Sequence, residues 1–134
     1  MSRGLRNNNP GNIRRSRVRY KGEVRPSRDP EFKEFSSMAY GYRAMFVLLD
    51  TYRSRYGLST IRQMLNRYAP PSENFTEGYI RFVSEKTGIA PDEIVNSRAA
   101  RDMVPIVAAM SQIENGTSAI MADVHRGWEL FETE

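Results

Sequence analysis

The sequence predicts a mainly helical α+β fold, with five or six helices behind a short N-terminal loop and β-hairpin region. Three observations predict it. From about residue 40 onward, apolar residues recur at helical spacing. The first 38 residues lack that periodicity and hold three of the nine glycines, three of the seven prolines and a run of asparagines. Finally, 134 residues with 40% hydrophobic content and no cysteine suit a single domain, residues 1–134. A chain of that size buries roughly two-thirds of its unfolded surface without disulfides. No internal repeat, low-complexity tract or long linker divides it.

Each element follows from local chemistry. Polar and apolar residues alternate at 17–20 and again at 31–35, which predicts two short strands within the N-terminal segment, residues 1–38. In the helical body, residues 39–134, Met45, Leu48, Leu49, Tyr52 and Tyr56 share one helical face that ends before Gly57. Thr60 opens a second helix with Ile61, Met64, Leu65 and Tyr68 inward, and Pro70-Pro71 stops it. A third starts at Asn74 or Thr76, with one of these as its cap, buries Phe75, Tyr79, Phe82 and Val83, and ends at Gly88 as a left-handed cap. Pro91-Asp92-Glu93 reads as a first helical turn. Ser97 can cap a longer helix through Met103, Ile106, Met110 and Ile113 to Asn115-Gly116, kinked at Pro105 unless that proline lies in the first turn. Thr117 or Ser118 opens the last helix, with Met121, Val124, Trp128 and Phe131 on its face.

Composition narrows the chemistry. Without cysteine there is no zinc finger or thiol nucleophile, and a lone histidine, His125, argues against a histidine metal site or a Ser-His-Asp triad. No metal or other cofactor is expected. The net charge is +4, yet the first 30 residues alone carry nine Lys and Arg against two acids, a local +7 that leaves −3 for the rest. Such a basic front on a mildly acidic body suits an anionic partner. No apolar run is long enough for a membrane span or a secretory signal.

With cysteine and histidine chemistry scarce, a carboxylate is the natural catalyst. Glu114 falls in the last turn of an apolar helix, where the dipole disfavours it. Dipole repulsion and the neighbours Met110 and Ile113 raise a carboxyl pKa, as a general acid requires. The plainer reading is an exposed glutamate ahead of an ordinary Asn-Gly cap. Asn7, Asn8, Asn9 and Asn12 offer amides suited to amino-sugar acetamido groups. They also suit the turn at Pro10-Gly11, so at least two are expected to be structural and Asn9 and Asn12 to line the site. Glu73 is either a second carboxylate or helix-start chemistry, and Tyr79 either points its hydroxyl into the cleft or packs in the core. His125 is expected at the surface and Trp128 in the core.

Ala108-Ala109-Met110-Ser111-Gln112-Ile113-Glu114-Asn115-Gly116 resembles the helix of lysozyme-like lytic transglycosylases and glucosaminidases, where an alanine-rich helix ends in a catalytic Glu followed by Ser-Gly or a close variant. Those enzymes follow that residue with a segment of the type Asn-Pro-x-Asn-Ile. Here Asn9-Pro10-Gly11-Asn12-Ile13 stands at the opposite end of the chain, so the resemblance implies a circularly permuted lysozyme-like fold. The opening, residues 3–14, is similar to that of small phage and prophage proteins described as virion structural proteins or cell-wall hydrolases. Their Phe-x-x-Phe, Gly-x-Arg-Ala, Tyr-Ala-Pro-x-x-Glu-Asn-x-Thr-x-x-Tyr-Ile and Glu-Asn-Gly elements match Phe32 and Phe35, residues 41–44, residues 68–80 and residues 114–116. Tyr20 and Tyr68 stand where tryptophan is more usual, and tyrosine also stacks on a sugar face.

The resemblance implies a peptidoglycan-cleaving glycosidase, muramidase, lytic transglycosylase or glucosaminidase, with Glu114 as general acid/base. Asn9, Asn12, Tyr20, Glu73 and Tyr79 are the expected substrate contacts. The expected partners are the peptidoglycan glycan strand and other virion proteins, with the protein made in the host cytoplasm and acting at the wall or carried in a virion. One alternative is a virion structural protein without activity. Another is a nucleic-acid-binding protein using the arginines of the N-terminal region, although no helix-turn-helix, zinc or RNA-recognition signature accompanies them.

Overall fold

The computed structural model describes residues 1–133. In chain order its elements are α1 (Arg3–Arg6), β1 (Glu23–Val24), β2 (Glu34–Phe35), α2 (Met38–Tyr56), α3 (Ile61–Tyr68), α4 (Thr76–Thr87), α5 (Ala100–Asn115) and α6 (Met121–Thr133). The fold is mainly helical with one small antiparallel sheet, in which Glu23 faces Phe35 and Val24 faces Glu34. None of the described helices is long and apolar enough to cross a membrane.

Helix α2 is the central element. Ser37 caps it by accepting from the Tyr40 N–H at 3.3 Å, and Gly57 ends it at φ 67°. Its Met45, Phe46 and Leu49 are fully buried. It packs most extensively along α6, where the Trp128 ring meets Phe46 edge-on at 5.0 Å. The two helices approach closely at Gly127, where a Cβ would stand 2.6 Å from the Tyr42 Cβ. Tyr42, Arg43 and Phe46 are buried beside the expected stripe, because α2 is covered around most of its girth. Tyr56, in the last turn, is exposed instead.

The helix stops follow the sequence more closely than the starts. Thr60 caps α3 by accepting from the Gln63 N–H at 3.1 Å. Thr60→Ala should lower stability by about 1 kcal/mol in a urea titration. Gly88 and Gly116 hold the left-handed conformation that ends α4 and α5. At the start of α4 no side chain caps the helix. Asn74 Nδ2 donates to the Pro70 carbonyl and Thr76 Oγ1 to that of Ala69, so both serve the preceding turn. Phe75 is 80% exposed rather than buried, being the residue before the first helical turn.

Other expectations are corrected. Residues 91–99 form turns, not a helix. Val95 donates its N–H to Ser59, and Ile94 is exposed, so no apolar face extends from Pro91. Ser97 does not cap α5, because its hydroxyl donates to Asp50 Oδ1 at 2.7 Å. Pro105 lies inside α5, past its first turn. Ile113 is largely exposed. Helix α6 starts at Met121, after Thr117 and Ser118, and Met121 itself is exposed. Residues 17–20 are not a strand. Their neighbourhood is organised by the fully buried Lys33, whose Nζ donates to the Val18 carbonyl at 2.7 Å and to Glu23 at 3.1 Å. Residues 3–6 form a one-turn helix capped by Ser2. His125 is exposed and Trp128 buried, as the sequence predicts.

Candidate functional site

The asparagine-rich loop is built by its own amides. Asn8 and Asn12 adopt φ 52° and 49°, the left-handed region that asparagine tolerates. Asn8 donates to the Phe35 carbonyl at 3.1 Å, and Asn7 donates to Asp29 at 3.1 Å. Asn9 is fully buried. Its Nδ2 donates to the carbonyls of Ile13 and Lys33, and its Oδ1 accepts from the Ile13 N–H. Asn9 therefore holds the loop and presents no surface for a substrate, contrary to the expectation from sequence. Three of the four asparagines are thus structural.

The end of α5 grips this loop. Asn115 Nδ2 donates to the Pro10 carbonyl at 2.8 Å, and its Oδ1 accepts from the Ser2 hydroxyl at 2.7 Å. Tyr68, on α3, donates its hydroxyl to the Gly11 carbonyl. One residue before Asn115, Glu114 accepts from Asn12 Nδ2 on Oε1 at 2.9 Å and from the Tyr79 hydroxyl on Oε2 at 3.0 Å. Three sequence-predicted residues, on loop, α4 and α5, thereby meet at one carboxyl group.

Burial pushes the Glu114 carboxyl above the ordinary glutamate range, against the hydrogen bonds from Asn12 and Tyr79 and the positive charge of Arg14, which pull it down. Tyr79 is buried; its hydroxyl is pushed well above the usual tyrosine range, first by desolvation and then by the Glu114 charge. It stays a donor. Tyr79→Phe should raise the pH at which Glu114 titrates, read by carboxyl-carbon NMR, because the substitution removes a donor to the charged form.

Glu114 opens onto a groove of about 440 Å³ whose lining includes Asn12, Arg14, Tyr68 and Glu73. Glu73 is exposed at its edge. Tyr79 supports Glu114 without lining the groove, and Tyr20 lies in the neighbouring depression. The sequence marks neither Asn115 as a clamp on the loop nor the Tyr68 hydroxyl as a tie to Gly11. The available signal was the Glu-Asn pair itself, which places two polar side chains on adjacent positions at a helix end. Among the described residues no group of three His, Cys, Asp or Glu side chains is placed to hold a metal ion.

A half-buried carboxyl of raised pKa, held by two donors at a groove, can keep and deliver a proton. No family model matches the chain. Over 132 residues, 96% of this chain and 81% of the relative, it is 39% identical to Protein P5 of Pseudoalteromonas phage PM2. The chain belongs to the family of that phage protein.

Proposed function

We propose that this phage-type protein cleaves the glycan strand of peptidoglycan, with Glu114 as single general acid/base. The observation that carries this reading is the Glu114 carboxyl itself, held by Asn12 and Tyr79 at a groove and raised in pKa by burial. In the acid form it protonates the glycosidic oxygen as the bond to the anomeric carbon breaks. As carboxylate it then accepts a proton from the incoming hydroxyl, supplied by water or by the sugar itself. Asn12 suits both states, because its NH₂ serves the carboxylate and, after amide rotation, its oxygen accepts from the acid. Its Oδ1 is buried without a hydrogen-bond donor. Asn12 and Glu73, which line the groove, are the substrate contacts in this reading, and Tyr20 stands in the adjoining depression. The lysozyme-like, permuted ancestry implied by the motifs is part of it, as is one functional unit over residues 1–134. The protein is made in the host cytoplasm and reaches the wall with a virion.

A second reading has its own support: both Glu114 oxygens already accept hydrogen bonds within the chain, as in a purely structural carboxylate. The protein is then a virion component without activity. Purified protein incubated with isolated cell walls separates the two. Soluble muropeptides released by the wild type support the enzyme, and none from any wall preparation supports the structural component.

A further inference from the structure

The groove at Glu114 adjoins, through the shared residues Leu48 and Tyr52, a second depression of about 620 Å³. Among the described residues Arg19, Arg55 and Arg67 line it together with Tyr20, Tyr52 and Tyr56, as do Lys21 and Arg43, which have partners of their own, and no aspartate or glutamate does. Several arginines of the N-terminal segment are matched to carboxylates, Arg3 to Asp29, Arg25 to Glu23 and Arg28 to Glu34. Arg19 and Arg55 are exposed and form no ion pair among the described residues. A concave surface that carries two such exposed cations concentrates positive potential where an anion can enter.

The aromatic residues decide which anion. Arg67 lies over the Tyr56 ring at 3.8 Å and reaches within 5.4 Å of the Tyr52 ring. Tyr20 packs against Phe35 at 6.5 Å, with the Lys33 ammonium 5.6 Å from its centroid. Tyr52 is buried. Tyr20 and Tyr52 are engaged in the core and Arg67 covers one face of the exposed Tyr56, which leaves no row of open aromatic faces for successive bases to stack on. What the depression presents instead is guanidinium groups, whose forked N–H donors pair with carboxylates and phosphates, and the anions that branch from a glycan strand in the adjoining groove are carboxylates.

We propose that this depression binds the carboxylates of the peptide stems that branch from the glycan strand. The inference rests on the reading that the strand itself lies in the Glu114 groove. A stem leaving the strand beside Glu114 passes over Leu48 and Tyr52 and meets Arg19 and Arg55. The stem adds affinity and sets the register of the strand, while the chemistry stays with Glu114.

The test is co-sedimentation of the full-length chain, carrying Glu114→Gln so that the polymer stays whole, with purified peptidoglycan and with the same material stripped of its stems by an amidase. Intact peptidoglycan should bind about tenfold more tightly, a margin of about 1.4 kcal/mol that should shrink with added salt. Adding Arg19→Gln and Arg55→Gln should erase the margin while leaving binding to stripped glycan unchanged. Both arginines are exposed, so the thermal melt should not move. Equal binding to intact and stripped glycan, or a margin that survives the double substitution, overturns the inference. Tighter binding to single-stranded DNA that needs the same two arginines also overturns it, in favour of a nucleic-acid site. The reading of Glu114 fails separately, in the wall-digestion assay, where stem preference plays no part.

Discussion

Glu114→Gln is expected to cut muropeptide release from isolated walls by about 10²- to 10⁴-fold, the range that a positioned general acid/base supplies, without unfolding the protein. Glutamine keeps the shape and the acceptor that Asn12 Nδ2 meets at 2.9 Å, and its amide can donate to the Tyr79 hydroxyl. What it lacks is the proton. Stability gives a second readout with a definite sign. A carboxyl whose pKa is raised in the folded state binds protons more tightly there than in the unfolded chain. Glu114 therefore contributes stability fully below its ordinary value of 4.5, and that contribution is lost as pH rises through the raised value. Wild type should lose stability over that window relative to Glu114→Gln, and at pH 7 the variant should be at least as stable. Undiminished release by the variant would remove Glu114 from the chemistry. A variant markedly less stable at pH 7 would mark the charged carboxylate as a structural anchor instead.

The second large effect lies away from the carboxyl. Gly41→Ala should destabilise the protein by about 3 kcal/mol, the upper part of the range for overpacking a tight interior. At an exposed helical position the same change would stabilise by up to about 1 kcal/mol, so the sign itself is informative. A Cβ at Gly41 would stand 2.1 Å from the Asn8 carbonyl oxygen and 2.6 Å from the Pro10 ring. Neither is the free end of a flexible side chain. Relief requires the loop over residues 8–12 to move off α2, and Asn12 then leaves Glu114. Wall release should fall with stability, because a displacement of about 1 Å at a catalytic group can cost on the order of 100-fold. Urea titration and the wall assay on one preparation read both effects. A stability gain would show that α2 and the loop are not in such close register.

Much of the helical body was legible because its signals are local. Thr60 announces a helix start, Gly57, Gly88 and Gly116 announce stops, and the apolar spacing of residues 61, 64 and 65 marks the buried face of α3. The failures came where distant partners decide. Residues 17–20 alternate like a strand, yet the Val18 carbonyl is used by Lys33 rather than by a neighbouring ladder. Ser97 has the chemistry of a cap and donates to Asp50 on α2 instead. Glu114 stands out because it violates the dipole rule, whereas the spacing of Tyr79 leaves cleft and core both open, and the fold buries its ring while its hydroxyl meets Glu114. Asn9 departs from expectation for a general reason: an amide's type says that it makes hydrogen bonds, and only the fold says whether backbone or ligand receives them.

The grip of α5 on the opening loop joins residues far apart in the chain, since Asn12 and Glu114 are separated by 102 positions and Ser2 and Asn115 by 113. Such pairings close the largest loops available to the polypeptide, and contacts of this range are slow to form. The groove is therefore a late event in biogenesis. A nascent chain that has emerged only as far as residue 110 carries Ser2 and Asn12 but neither Glu114 nor Asn115, so the carboxyl and the clamp that fixes the loop beneath it come into being together.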